Sequence, residues 1–336
     1  MRPLTLDFYG ARVRLDSPDE ESLAALRRDF EWFEDPDGCG PAISWLLERR
    51  AARPEELPEG LPGLATTDYL ALDAPGRRTV RYFDGAAAVY DYDARRGALY
   101  CADGDRLREL AYLAVLSRAG EALDERGLHR VHALGFSRGT AAGLVLMPSG
   151  GGKSVLGLSL LSGTSMELAS DDAPLVCRRC LRLHAFPLRL GFREDADLSA
   201  VPPELVRPFK RRHFSPKRLV DLAFFKHRVC ARAAPVRWLL IGRRGASPSA
   251  RPASRAAALA ALAENMVVGR GLAQMAEYMA RPTPAAAARL ARIAASRWST
   301  ALALSGAAAA YTLTLGPDSA ENARFLDAFL GTSAAI

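Results

Sequence analysis

Fifteen residues in the middle of the chain constrain it more than any others: Leu144-Val145-Leu146-Met147-Pro148-Ser149-Gly150-Gly151-Gly152-Lys153-Ser154-Val155-Leu156-Gly157-Leu158. An apolar run suited to one buried strand meets a glycine loop, then Lys-Ser, then helix-compatible apolar spacing. Phosphate binding needs those parts in that order. Glycines let backbone N–H groups face inward around an anion, and the following helix points its positive end at it. In the pattern G-x-x-x-x-G-K-[ST] the lysine spans the β- and γ-oxygens and the hydroxyl ligates magnesium. Ser149, Gly150, Gly151, Gly152, Lys153 and Ser154 are therefore the candidate ATP-phosphate residues, with Ser154 a candidate Mg2+ ligand. One position departs: Met147 stands where the pattern has its first glycine. Because Met avoids positive φ, the loop is expected to begin differently there.

A second element supports the first. Glu167-Leu168-Ala169-Ser170-Asp171-Asp172 reads as a strand ending in paired carboxylates, 18 residues beyond Lys153. A neighbouring strand could deliver them beside a γ-phosphate, one to hold magnesium and one to take a proton from an attacking hydroxyl. A turn-capping Asp pair before Pro174 is the plain reading of the same residues.

Together, Ser149–Ser154 and Ser170-Asp171-Asp172 resemble the HPr kinase/phosphorylase superfamily, whose nucleotide-binding core is shared with phosphoenolpyruvate carboxykinase. His132, in Val131-His132-Ala133-Leu134, matches a strand-borne histidine ahead of the loop, and Phe186–Arg193 resembles a proline- and arginine-containing stretch after the Asp pair. The likeness covers about 128–195 and is weaker towards the C-terminus. It does not reach the first 100 residues, and the downstream glycine-rich signature of authentic HPr kinases is absent. The resemblance implies Asp171 as general base and Asp172 as metal partner, an order that could be exchanged. It implies His132 as an orienting or phosphate-touching residue, and Arg189 and Arg193 as groups that neutralise developing charge. It further implies a kinase with a different acceptor, a serine hydroxyl on a peptide or protein such as a natural-product precursor peptide.

Around this core the chain reads as α/β (α+β overall). Residues 1–103 form an N-terminal α+β domain for substrate or partner recognition, and 104–127 a connecting helix. Residues 128–242 form the P-loop core, 243–255 a mobile basic loop, and 256–336 helices with one strand that completes the core. In detail, the patterns predict a hairpin around Gly10, a helix over Asp19–Glu34 and a short helix at Ile43–Arg50. Four short strands follow between Tyr69 and Cys101, with Arg95-Arg96-Gly97 turning the last pair. After the loop come one helix over Ala256–Ala280, a second to about Leu304, a strand at Tyr311–Leu315 and a final helix over Asp318–Leu330.

Charge adds a partner. Of 45 basic residues only four are Lys (Lys153, Lys210, Lys217 and Lys226), so each Lys is informative. Residues 1–100 carry 13 basic and 19 acidic side chains, a net of −6, whereas 201–300 carry 19 and 4, a net of +15. The run 207–218, with Lys210, Arg211 and Arg212, suits an anionic ligand, and a solvated Arg-rich face explains it equally. No nucleic-acid-binding motif accompanies it. The start of the chain lacks a signal-peptide pattern, no apolar run suits a membrane span, and five cysteines read as reduced thiols. A cytoplasmic protein is expected, and a homo-oligomer is compatible with the sequence.

Three rivals stand beside the kinase. A non-kinase ATPase or nucleotide sensor would use the same loop while its basic face recruits an anionic partner. Gly135-Phe136-Ser137-Arg138-Gly139 matches the G-x-S-x-G elbow of serine hydrolases, with His184, His213 or His227 as base. An elbow needs a helix after Ser137, yet Thr140–Leu146 reads as a strand, so a hairpin is expected. Cys177-Arg178-Arg179-Cys180 with His184 invites zinc or redox chemistry, but no second close-spaced Cys/His pair exists and a hairpin tip is the plainer account.

Overall fold

Alternating and doubly buried strands account for two large sheets, beside which a third has three strands. The computed structural model describes residues 2–40, 42–199, 201–210 and 215–333. Cα packing separates two units: residues 1–125, 209–216 and 273–292 in the first, and 126–208, 217–272 and 293–336 in the second.

In the first unit the strands are β1 (Leu4–Phe8), β2 (Ala11–Asp16), β3 (Ile43–Glu48), β4 (Leu61–Ala65), β5 (Tyr69–Ala74), β6 (Arg77–Tyr82), β7 (Ala87–Asp91) and β8 (Arg96–Tyr100). They form one sheet in the order β1-β2-β3-β8-β7-β6-β5-β4. Helices α1 (Glu20–Phe30) and α2 (Gly104–Glu125) pack on it and on each other. The expected connector α2 is therefore part of this unit. The predicted helix at 43–50 is the strand β3, parallel to both β2 and β8. Its apolar run is short, and burial of Ile43, Trp45 and Leu47 follows period two. Gly97 is not a turn residue: the turn is at Arg95 (φ 52), and Gly97 lies in β8 under the Trp45 ring, which a methyl group there would overlap.

The second unit holds β9 (Leu128–Arg130), β10 (Ala133–Arg138), β11 (Ala141–Leu146), α3 (Lys153–Gly163), β12 (Glu167–Ser170), β13 (Leu175–Cys177), β14 (Arg182–His184), β15 (Leu190–Arg193), β16 (Val206–Phe209), β17 (Lys217–Val220), β18 (Ala234–Arg244), β19 (Ser249–Pro252) and α4 (Arg255–Leu262). After the first-unit turn α5 (Ala276–Met279) and α6 (Pro284–Ala307), it is completed by β20 (Ala309–Leu315) and α7 (Ser319–Ser333). The main sheet runs β12-β10-β11-β18-β14-β13-β9, with β20 also pairing β18 and β19. A smaller sheet runs β15-β17-β16. With seven α-helices and mixed sheets among the described residues, the fold is α/β.

This sheet is apolar on both faces because both are covered. Val145, Trp238 and Leu240 face one core with Leu156 and Leu160 of α3 and Leu326 and Leu330 of α7. Alternate residues, Leu144, Leu146 and Leu239, face the other with Leu262 of α4 and Leu304 of α6.

Two expectations fail here. The stretch 243–255 is no loop: β18 continues through Arg244, and β19 pairs antiparallel with β20. Pro252 is tolerated because it ends an edge strand. Nor is 256–280 one helix. The α-helix stops at Leu262, widens to a π-type turn over 263–268 and ends at Gly269 (φ 67). Alanine-rich propensity yields there to the packing of the following chain. No helix among the described residues is long and apolar enough to cross a membrane.

Candidate active site

The topology gathers the sequence motifs at one end of the main sheet. β11 and β12 each run antiparallel to β10, so they are parallel to each other with β10 between them. The Asp pair is thus not on the immediate neighbour of β11; helix α3 crosses over β10 to reach it. Residues after β11 and β12 and residues before β10 consequently share one edge. These are the glycine loop, the Asp pair and His132. β18 is parallel to β11 and ends in Arg244 at that same edge. The carboxyl ends of parallel strands are where α/β sheets bind ligands.

Met147 does not strain the loop. It is absent from the residues with positive φ, and its buried side chain lies on Gly242 of β18, where a Cβ would collide with it. Positive φ falls instead on Gly150 (77) and Gly152 (101), and Gly152 begins α3 without any side-chain cap. Ser149 and Gly150 are exposed, while Gly151 and Gly152 are partly covered. A Cβ on Gly152 would meet the Arg244 guanidinium, which therefore rests against the loop. Arg244 had no motif to announce it.

Beneath the loop lies a cluster of titratable groups. Lys153 is 6 % exposed. Its Nζ donates to the carbonyl oxygens of Met147 at 2.9 Å and Pro148 at 3.3 Å and sits 3.0 Å from His132 Nε2. The same imidazole nitrogen lies 3.1 Å from Asp172 Oδ1. One nitrogen thus serves two neighbours: as acceptor it takes a Lys153 proton, and as donor it gives one to Asp172. Ser154 Oγ donates to Asp171 Oδ2 at 2.8 Å. The two aspartates differ sharply in access, with Asp171 5 % exposed and the Asp172 side chain 53 % exposed.

Electrostatics separates them further. Desolvation and the Asp172 charge push Asp171 up to about 7, against the Ser154 hydrogen bond and the Lys217 and Lys153 ammonium groups. For Asp172 desolvation is outweighed by the His132 hydrogen bond and charge, with Lys153 and Lys217 assisting, and its carboxyl is held below the usual range. Desolvation depresses Lys153, only partly offset by Asp172 and Asp171. Lys217, at the start of β17, is a member of the site that spacing did not reveal. Its rarity as a lysine was the available signal.

The backbone behind His132 is also tertiary. Its N–H donates to the Asn265 carbonyl at 2.8 Å, and Gly271 (φ 93) passes so close that a Cβ would overlap the imidazole. The π-type turn and the two glycines that interrupt the expected helix are what hold this histidine.

Other candidates fall outside the cluster or outside the described residues. Arg189 is half-buried just before β15, Arg193 makes an exposed ion pair with Asp195 at 3.1 Å, and Lys210 is exposed in the first unit's segment 209–216. Arg207 pairs with Asp221 at 2.9 Å, and Arg218 bonds the Ala196 carbonyl, so the basic run is partly consumed internally. Arg211, Arg212 and His213 lie outside the described residues. Ser137 is buried within β10; its hydroxyl donates to Glu167 at 3.2 Å and the chain turns into β11, so no elbow helix exists.

The donors fit the groups implied by the motif. Positive-φ glycines, an uncapped helix start, a desolvated lysine and a seryl–aspartate pair are the parts an ATP phosphate chain and Mg2+ require. No protein-family model matches the chain, and no curated protein matches it.

Proposed function

We propose that this chain is an ATP-dependent kinase with an HPr-kinase-like P-loop core, transferring the γ-phosphoryl group to a serine hydroxyl of a peptide or protein. The observation that carries the reading is the single cluster of Lys153, Ser154, Asp171, Asp172 and His132 below a glycine loop at the sheet's carboxyl edge. Gly150, Gly151, Gly152 and the first turn of α3 cradle the phosphates, and Lys153 reaches the β- and γ-oxygens. Ser154 and Asp171 would hold magnesium, which neutralises charge on those oxygens. Asp172 is the carboxylate an acceptor can reach, so we assign it the acceptor's proton and exchange the two aspartate roles implied by resemblance. Accessibility decides before basicity, and a loose phosphoryl-transfer transition state asks little of the base. The hydroxyl oxygen bonds to the γ-phosphorus, the bond to the β–γ bridging oxygen breaks, the proton passes to Asp172 and ADP leaves. His132 orients Asp172, while Lys217 and Arg244 add positive charge. Five cysteines present as free thiols suit a cytoplasmic setting.

The test is incubation with γ-labelled ATP, Mg2+ and serine-containing peptides or a cell extract, beside Lys153→Ala. Label on an acceptor hydroxyl that disappears with the variant supports the kinase. Hydrolysis with no acceptor labelled would favour the ATPase or sensor, and absence of nucleotide binding would overturn the phosphate loop itself.

A further inference from the structure

The hairpin formed by β13 and β14 leads away from the Asp pair and carries a second group of chemically capable side chains. Its register pairs Leu175 with His184 and Val176 with Leu183. Side chains alternate with period two, so Cys177 and His184 share a face, diagonal across the pair. Between them the turn is closed by the Leu181 N–H donating to the Cys177 carbonyl at 2.9 Å, with Leu181 itself at φ 53. A left-handed leucine is unfavourable on its own, so the surrounding structure over-determines this turn. Its effect is to fold Cys180 back over the strands. The two sulfurs and an imidazole nitrogen of Cys177, Cys180 and His184 lie within 4.8 Å of one another, the one such trio among the described residues.

We infer that Cys177, Cys180 and His184 form a zinc site with three protein ligands and a fourth position open to water. Tetrahedral zinc with bonds of about 2.3 Å to sulfur and about 2.0 Å to nitrogen separates its ligand atoms by about 3.5–3.8 Å. Two thiolates and an imidazole select a borderline-soft cation and reject magnesium or calcium. The backbone N–H groups of Cys180 and Arg179 hydrogen bond to the Cys177 sulfur and so fix its place in the turn. The charges of Arg179 and Arg182 act on the trio and would repel a bare cation; two thiolates cancel the charge of Zn2+ and remove that penalty. Cys180 is exposed, so the fourth position faces solvent. Lack of a second Cys/His pair, which argued against zinc in the sequence, excludes a closed four-ligand site but not this open one. The inference is independent of phosphoryl transfer.

The experiment reconstitutes the full chain, purified under reducing conditions, with Zn2+ alone and measures bound metal by mass spectrometry. One zinc per chain is expected, and Co2+ in its place should give thiolate-to-cobalt charge-transfer absorption. Cys180→Ser, at an exposed position, and His184→Gln should each weaken Zn2+ binding at least about tenfold with unchanged circular dichroism. Cys39→Ser, an exposed cysteine of the first unit, should bind as before. Zinc absent after reconstitution, zinc undiminished in both variants, or a Cys177–Cys180 disulfide in the reduced preparation would overturn the proposal.

Discussion

Each unit buries a knot of charge, and the two knots are built on opposite plans. In the first unit Arg78 is fully buried and bound through all three nitrogens: Nε and Nη2 bind both Asp73 oxygens at 2.9 and 2.6 Å, and Nη1 donates to the Glu277 and Ala280 carbonyls at 2.8 and 2.9 Å. Glu277, raised by burial, receives the Tyr82 hydroxyl at 3.2 Å. In the second unit Lys153 faces two carbonyls and an imidazole nitrogen it must share, while Asp171 is driven up to about 7 with a second carboxylate beside it. The first arrangement gives every guanidinium nitrogen a partner and locks a fold. The second leaves perturbed titratable groups sharing partners at a sheet edge, the pattern found at functional sites and the one the proposed ATP and Mg2+ would complete.

That contrast can be broken most forcefully by paired deletions. Lys153→Ala should lose about 10²–10³-fold or more in phosphoryl transfer while melting near wild type, read by the labelling assay and a thermal scan. Arg78→Ala should instead cost about 3–5 kcal/mol in denaturant unfolding, because it leaves the half-buried Asp73 carboxylate with only the longer Arg281 contact at 3.4 Å and strands two carbonyls. A Lys153 variant that unfolds while Arg78→Ala does not would reverse the comparison.

The aspartates sharpen it within one knot. Asp172→Asn should lower turnover about 10²-fold at saturating magnesium and spare nucleotide binding. Asp171→Asn should chiefly raise the magnesium needed for half-maximal rate, so a magnesium titration of both variants separates the roles. Gly271→Ala, forced against His132 at positive φ, should cost about 1–3 kcal/mol and slow transfer through the displaced imidazole.

The smallest effect is one of pH. Asp171 titrates near 7 in the folded protein and near 3.8 when unfolded, so its proton favours the fold. This contribution is complete below about 3.8 and is lost as pH rises through about 7. Asp171→Asn mimics the protonated form. Without metal or nucleotide, the variant's melting temperature should exceed wild type most above pH 7, with the gap shrinking towards pH 4.

Legibility followed the range of the interactions. The glycine loop, Lys153 and Ser154 could be read because a strand–loop–helix anion cradle is local: its residues are contiguous and their backbone needs are intrinsic. The β1–β2 hairpin and the strands β5 to β8 were visible for the same reason, as alternation over a few residues. Ile43–Glu48 was misread because six residues with four apolar positions fit either period, and only parallel pairing with β2 and β8 decides. The stretch 256–280 was misread because alanine favours helix everywhere, while Gly269 ends the π-type turn at positive φ and Gly271 answers to His132, more than a hundred residues earlier.

By itself, then, the sequence determined the α/β class, the glycine loop between strand and helix and the Asp pair at a strand end, since each follows from backbone conformation and apolar periodicity within a short window. Tertiary structure alone decided that Ser154 takes Asp171 and His132 takes Asp172, that Lys217 and Arg244 join them, and that Cys177, Cys180 and His184 converge. Hydrogen bonds and charge–charge interactions depend on distance through space, and strand order together with turn geometry sets those distances.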